Sequence, residues 1–160
     1  MILFSCGFFS VKKVQCMKRK CLNVKELARG LFLLKHEIIY NGREMWEAVG
    51  AVADGLKGET KQVFRCLYQH LSQNTAVTLE QAWQASVSPE QFPESVLEYM
   101  SAFTKKAGMF SEEQELQHLE QAEKILTEIQ RSEEEMLSRN KTLIYTAGVG
   151  GGCAVFLLLL

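Results

Sequence analysis

Apolar side chains recur every three or four residues along most of this chain, which is the spacing of one face of an α-helix. The first such stripe contains Leu27, Leu31, Leu34 and Ile38, and it ends near the Asn-Gly pair at residues 41–42. No stretch alternates apolar and polar residues as a half-buried β-strand does. The pattern therefore predicts an all-α protein.

Similar stripes, and the residues that end them, predict the next three helices. The second helix contains Val52 and ends at Gly55 or Gly58, and the third ends near Asn74. Thr78 resembles the N-cap of a fourth helix, because a glutamine follows three residues later, as in a capping box.

A loop between the prolines at residues 89 and 93 separates the fourth helix from the fifth, which closes at Gly108. Ser111 and Gln114 form a second capping box that opens a long sixth helix. We predict an antiparallel bundle of about six helices, five of them short, because short loops favour antiparallel neighbours. We expect the core to contain Leu31, Leu34, Val52, Leu67, Trp83, Leu97 and Phe103.

The last part of the chain, residues 142–160, contains no charged side chain. As a helix this segment would extend roughly 28 Å, close to the hydrocarbon thickness of a bilayer of about 30 Å. Arg139 and Lys141 precede it, and such charges tend to remain in the cytoplasm. The sixth helix is thus predicted to continue into a C-terminal transmembrane helix, behind a cytoplasmic helical domain at residues 22–140.

The N-terminal segment, residues 1–21, is apolar at its start and basic afterwards. Residues 1–11 as a helix would cover only about 16 Å, which is too short to cross a membrane. The segment could be an interfacial anchor, half of a spanning helix, or a truncated membrane anchor. In the C-terminal segment, Gly148 and Gly152 have the spacing that allows close helix–helix packing in lipid.

Charge narrows the choice of partners. The chain has 18 basic and 19 acidic side chains, and this balance argues against a nucleic-acid partner. Eight basic residues and one acidic residue lie between Lys12 and Lys35, a cluster that could face anionic lipid. The five cysteines are odd in number and irregularly spaced, which argues against a disulfide framework and favours a reduced cytoplasmic setting.

Groups that could carry out chemistry are sparse. Cys66 and His70 stand four residues apart on a predicted helix, but two ligands make no metal site without others nearby. Cys16 and Cys21 lie among lysines that could lower the pKa of a thiol. The glycine run at residues 148–152 follows no predicted strand and lacks the Lys-Ser or Lys-Thr of a phosphate loop. We therefore expect no enzymatic activity, no metal and no cofactor.

Several short motifs occur in a characteristic order. They are the run LKHEIIY at residues 34–40, Glu-Ala at 47–48, Ala-Trp at 82–83, the stretch 103–114, and Asn-Lys at 140–141 before the glycine-rich segment. In this order and spacing the chain resembles the stage III sporulation protein AB family of endospore-forming bacteria. That family is similar to the cytoplasmic helical domain of type II secretion F-type proteins. It has a full N-terminal membrane helix, for which residues 1–11 are too short.

The resemblance implies a non-enzymatic, membrane-anchored scaffold in the channel complex that joins mother cell and forespore, with its helical domain on the mother-cell side. The implied partners are other stage III sporulation channel proteins, including a secretion-type ATPase, together with membrane lipid and, in a homo-oligomer, further copies of the chain. The alternative is a tail-anchored regulatory adaptor that binds a soluble partner.

We predict that the partner surface lies around Glu37, Tyr40, Arg43 and Trp46. This region carries the most recognisable part of the resemblance, and it combines aromatic residues, an arginine and a carboxylate at a helix end. Aromatic residues and arginine dominate interface energetics. In the alternative interpretation, Tyr40 and Trp46 only pack the first two helices together, and Glu37 and Arg43 are solvated or paired.

Overall fold

The computed structural model of this protein describes residues 2–73, 77–107 and 112–158, with the side chains of residues 12, 14–73, 77–107 and 113–140. These residues form six α-helices and no strand, so the predicted all-α class and helix number are confirmed. The helices are α1 (Ile2–Asn41), α2 (Met45–Gly55), α3 (Gly58–Gln73), α4 (Leu79–Ser86), α5 (Glu94–Lys106) and α6 (Glu112–Leu158).

Two helices are long, whereas the sequence predicted one long helix and five short ones. α1 has 40 residues and α6 has 47. Both are uninterrupted because their sequences contain no proline, the residue that most strongly breaks a helix. The predicted boundaries near residues 21 and 141 therefore fall inside continuous helices.

α1 and α6 lie side by side and run in opposite directions. The Asn140 amide lies 3.8 Å from the Met17 sulfur, and the Lys35 ammonium lies 3.6 Å from the Glu123 carboxylate. Residue numbers thus rise along α1 as they fall along α6. As a consequence, the start of α1 and the end of α6 extend from the same end of this helix pair.

The turns and caps follow the local sequence signals. The Thr78 hydroxyl accepts a hydrogen bond from the Gln81 backbone N–H, and the Gln81 side chain accepts one from the Thr78 N–H, which confirms the capping box. Gly42, just after α1, has a φ of 59°, a backbone conformation that glycine adopts without steric cost. The second predicted capping box includes Ser111, which lies outside the described residues.

All six helices contribute to one hydrophobic core. Six of the seven residues predicted for the core are buried; they are Leu31, Leu34, Val52, Leu67, Trp83 and Phe103. The seventh, Leu97, is partly buried and packs against the core. Phe92 lies in the loop before α5 and is fully buried.

A polar link joins α1 to α3 and to the loop before α5. The Asn23 side-chain amide donates hydrogen bonds to the Glu59 carboxylate at 2.7 Å and to the Gln91 backbone carbonyl at 2.8 Å. The fully buried Thr60 hydroxyl donates to the Asn23 carbonyl at 3.2 Å. Since unpaired buried polar groups cost free energy, these bonds favour one position of α3 against α1.

The structure does not confirm the predicted transmembrane helix. α6 does continue beyond residue 140, but none of the helices, over the described residues, combines the length and the apolar character needed to cross a membrane. The predicted segment 142–160, with Gly148 and Gly152, lies outside the residues whose side chains are described.

Leu34→Ala should lower the free energy of unfolding by about 2–5 kcal/mol, because Leu34 is buried and its truncation leaves a cavity in the core. Leu22→Ala is the matched control on the same helix. Leu22 is 62% exposed, and we expect a change within about 0.5 kcal/mol. Chemical denaturation followed by far-ultraviolet circular dichroism measures both. Equal midpoints for the two variants would show that the inner face of α1 is assigned wrongly.

Candidate functional site

The four residues of the predicted partner surface lie where α1 ends and α2 begins. Tyr40 is 74% exposed and Trp46 is 38% exposed, while Arg43 is exposed and Glu37 is half-buried. Only the three residues of a tight turn separate the two helices. The turn therefore presents all four residues within a short distance along the chain, at a helix end that solvent reaches.

Glu37 and Arg43 form an ion pair across this turn. The Arg43 guanidinium lies 3.3 Å from the Glu37 carboxylate, and the Asn41 amide donates to the same carboxylate oxygen at 2.7 Å. An exposed pair of this kind contributes about 1 kcal/mol or less. The two residues are thus paired, as the alternative interpretation of the sequence expected, and their charges remain partly accessible.

The ring contacts of Tyr40 and Trp46 do not join α1 to α2. The Tyr40 ring lies against His36 on its own helix, with 4.5 Å between ring centroids. The Trp46 ring instead stacks on Tyr68 of α3, with 6.3 Å between centroids and 16° between the ring planes. The two predicted aromatic residues therefore belong to different parts of the surface.

A glycine makes the stack on α3 possible. A Cβ atom at Gly50 would lie 2.7 Å from the nearest atom of the Tyr68 ring, closer than atoms in van der Waals contact. Without a side chain at this position, the ring lies directly on the backbone of α2, one turn after Trp46. The indole N–H of Trp46 donates to the Glu44 carboxylate at 2.9 Å, which orients the indole ring.

These contacts form one wall of an open cleft of about 550 Å³, which we call the α2–α3 groove. It is lined by Arg43, Trp46, Glu47, Gly50, Ala51, Asp54 and Tyr68. Of the predicted site residues, Arg43 and Trp46 therefore line the groove, whereas Glu37 reaches it only through its ion pair and Tyr40 lies outside it. The sequence interpretation missed Tyr68, Glu47 and Asp54.

The acidic side chains of the groove differ in whether a basic side chain pairs with them. The Asp54 carboxylate lies 3.1 Å from the Arg65 guanidinium and 4.0 Å from the Lys61 ammonium. Glu47 is exposed in the first turn of α2 and makes no ion pair or side-chain hydrogen bond within the described part of the chain. The groove therefore combines two aromatic rings with one carboxylate for which the described residues provide no cationic partner.

Away from this surface, the sequence suggested that neighbouring lysines lower the pKa of the Cys21 thiol, and this prediction is wrong. Cys21 is buried, and desolvation raises the pKa of its thiol above the usual value. The negative charges of Glu134 and Glu133 raise the pKa further, and Lys25 opposes them more weakly. The antiparallel packing of α6 brings these carboxylates to Cys21, an effect that the neighbouring lysines in the sequence did not reveal.

No group of three or more potential metal ligands occurs among the described residues. Cys66 and His70 lie on α3 without a third ligand in that part of the chain. The expectation that the protein binds no metal stays a prediction.

Comparison with known proteins identifies the family. The sequence matches the family described as stage III sporulation protein AB over residues 1–160. This chain belongs to the stage III sporulation protein AB family. A solved structure called "Stage III sporulation protein AB (SpoIIIAB)" has the same fold, with a TM-score of 0.66 and 18% identity over 75% of this chain and 97% of that chain. No curated protein matches the sequence.

In this stage III sporulation protein AB family member, the motifs that carried the resemblance divide between core and surface. Ala48, Ala82 and Trp83 are buried in the core. Glu47 lines the α2–α3 groove, and Tyr40 is exposed. The surface members do not contribute to core packing, so they are the ones available to a partner.

Gly50→Ala should lower the free energy of unfolding by about 1–3 kcal/mol, because the added methyl group displaces the Tyr68 ring. It should also change the near-ultraviolet circular dichroism of the Trp46–Tyr68 stack. Gly55→Ala in the same helix is the control, since its methyl group would meet only Leu33 at an ordinary 3.5 Å. If both variants keep the stability and the near-ultraviolet circular dichroism of the original protein, Tyr68 does not rest on Gly50.

Proposed function

We propose that this protein is a non-enzymatic, membrane-anchored scaffold of a sporulation channel complex, and that it acts by binding partner proteins. Its family membership supports a role in sporulation and suggests association with other stage III sporulation proteins. The observation that supports partner binding is the exposed surface formed by the α1–α2 turn and the α2–α3 groove. A secretion-type ATPase and further copies of the chain are the partners that we propose for this surface.

The composition of this surface favours protein recognition. Trp46 and Tyr68 keep 38% and 37% of their area exposed although both are held on helices. Tryptophan, tyrosine and arginine supply most of the binding free energy in many interfaces, because they combine apolar area with directed hydrogen bonds. Since neighbouring contacts already orient both rings, little side-chain entropy would be lost when a partner covers them.

The register of α1 and α6 supports the proposed membrane anchor. The antiparallel contacts at Met17–Asn140 and Lys35–Glu123 direct the α1 residues 2–11 and the α6 residues 142–158 toward the same end of the helix pair. Both segments are free of charged residues. We propose that they enter the membrane together, which would make the short N-terminal segment part of a two-segment anchor. The groove would then lie on the cytoplasmic, mother-cell side, as Arg139 and Lys141 favour.

The anchor is tested by alkaline extraction of membranes from sporulating cells. The full chain should remain in the membrane pellet, because apolar segments hold it in the bilayer. A chain that ends at Arg139 and also lacks residues 1–11 should move to the soluble fraction, and removal of either segment alone should release only part of it. Complete release of the full chain by alkali would contradict the anchor.

Partner binding is tested by exchanging the charges of one ion pair. The double variant Glu37→Arg/Arg43→Glu keeps an ion pair across the turn, so we expect its free energy of unfolding to change by about 0.5 kcal/mol or less. Recovery of partner proteins from detergent extracts, and the yield of spores, should both fall, because the pattern of charge on the surface is reversed.

The control exchanges a similar pair on another face. Glu120 and Lys124 form an exposed ion pair of 3.2 Å on α6, and Glu120→Lys/Lys124→Glu should leave recovery and spore yield unchanged. Normal recovery in the Glu37/Arg43 exchange would contradict this partner surface. Recovery of one soluble protein in variable amounts, rather than of membrane partners in fixed stoichiometry, would favour the adaptor function instead.

A further inference from the structure

We propose that the α2–α3 groove binds a cationic side chain, arginine or lysine, from a segment of a partner protein. This inference rests on the proposed function and adds the chemistry of the partner to it. Three features of the groove support it: an aromatic surface, a carboxylate that makes no ion pair within the described residues, and a native arginine that is already paired with Glu37.

The aromatic surface is the first feature. Trp46 and Tyr68 are stacked with 16° between their planes, and both remain more than one-third exposed. The face of an aromatic ring is negative, so it attracts an ammonium or guanidinium group, and tryptophan does so most strongly. The backbone at Gly50 covers one side of the Tyr68 ring, so we assign the cation to the Trp46 ring.

The charges of the groove indicate the sign of the ligand. Asp54 is compensated by Arg65 and Lys61, and the Glu37 carboxylate holds Arg43. Glu47 has no such partner among the described residues. Glu44, which accepts the indole N–H of Trp46, adds a second carboxylate beside the ring.

A cation that stacks on Trp46 would therefore lie near two carboxylates that pair with no cation in the described part of the chain. An acidic ligand could pair with Arg43, but it would have to displace the Glu37 carboxylate, which lies 3.3 Å from the Arg43 guanidinium. Glu44 and Glu47 would also repel it. Charge complementarity thus favours a basic segment over an acidic one.

The size of the groove is consistent with a peptide segment. Its volume of about 550 Å³ lies within the range of about 300–1,000 Å³ that is typical of ligand clefts. The groove is open, so a chain can pass along it while one side chain enters. We therefore assign the cation to a protein segment that carries arginine or lysine.

The direct test is a titration of the full chain, in detergent, with the peptide acetyl-Gly-Arg-Gly-Arg-Gly-amide. A peptide with lysine in place of both arginines is compared with it. Peptides with citrulline or glutamate at the same two positions are the controls. Tryptophan fluorescence reports on the site because Trp46 is exposed, whereas the other tryptophan, Trp83, is buried. We expect saturable quenching by the arginine and lysine peptides, and no quenching by the citrulline or glutamate peptides.

Two variants locate the interaction. Glu47→Gln should weaken binding of the arginine peptide about tenfold, because it removes one charge-assisted contact. Glu128→Gln, an exposed glutamate on α6, should leave the affinity unchanged. Equal binding of the citrulline peptide, tighter binding of the glutamate peptide, or equal effects of the two variants would each overturn the assignment of a cation.

Recovery of partners from cells separates this inference from the proposed function. We expect Trp46→Ala and Glu47→Gln both to reduce recovery. If only Trp46→Ala reduces it, a partner docks on the groove through apolar contact, so the cation inference is overturned and the proposed function stands. If neither variant reduces it, the groove is not the partner surface, and the proposal for this site is overturned together with the inference that rests on it.

Discussion

The fold depends on burying the inner face of α1, which no single neighbour can cover. Val24, Leu27, Leu31 and Leu34 are all almost fully buried, with α6 packed along the helix and α2 and α3 against its C-terminal half. The approach of α3 is so close that a Cβ at Gly30 would lie 2.8 Å from the Phe64 ring. Because this apolar stripe must be covered, α6, α2 and α3 pack around α1, while α4 packs on α3 and α5 bridges α4 and α6.

A small number of polar contacts makes that arrangement specific. Apolar packing tolerates small rotations and shifts of a helix, whereas a buried amide or hydroxyl group must meet its hydrogen-bond partner. Asn23 and Thr60 connect α1, α3 and the loop before α5 in this way, and Lys35 and Glu123 connect α1 with α6. The orientation of α1, α3 and α6 is therefore set by apolar burial together with these directed contacts.

The candidate site follows from the same arrangement. The core positions α2 and α3 as antiparallel neighbours, so that Trp46 and Gly50 of one helix meet Tyr68 of the other. The site therefore rests on rigid helices, and its charged groups project from their outer faces. The backbone of such preformed interfaces usually moves little on binding, and this is what we propose for this surface.

The local elements were predictable from the sequence, because each depends on residues close in the chain. They are the helical class, the capping box at Thr78, the end of α1 near Gly42 and most of the core. The sequence also indicated Arg43 and Trp46 as surface residues. Only the three-dimensional packing shows that Trp46 meets Tyr68, that Glu47 makes no ion pair within the described residues, and that carboxylates of α6 reach Cys21. Periodicity shows which face of a helix is apolar, but it does not show which other helix that face will meet.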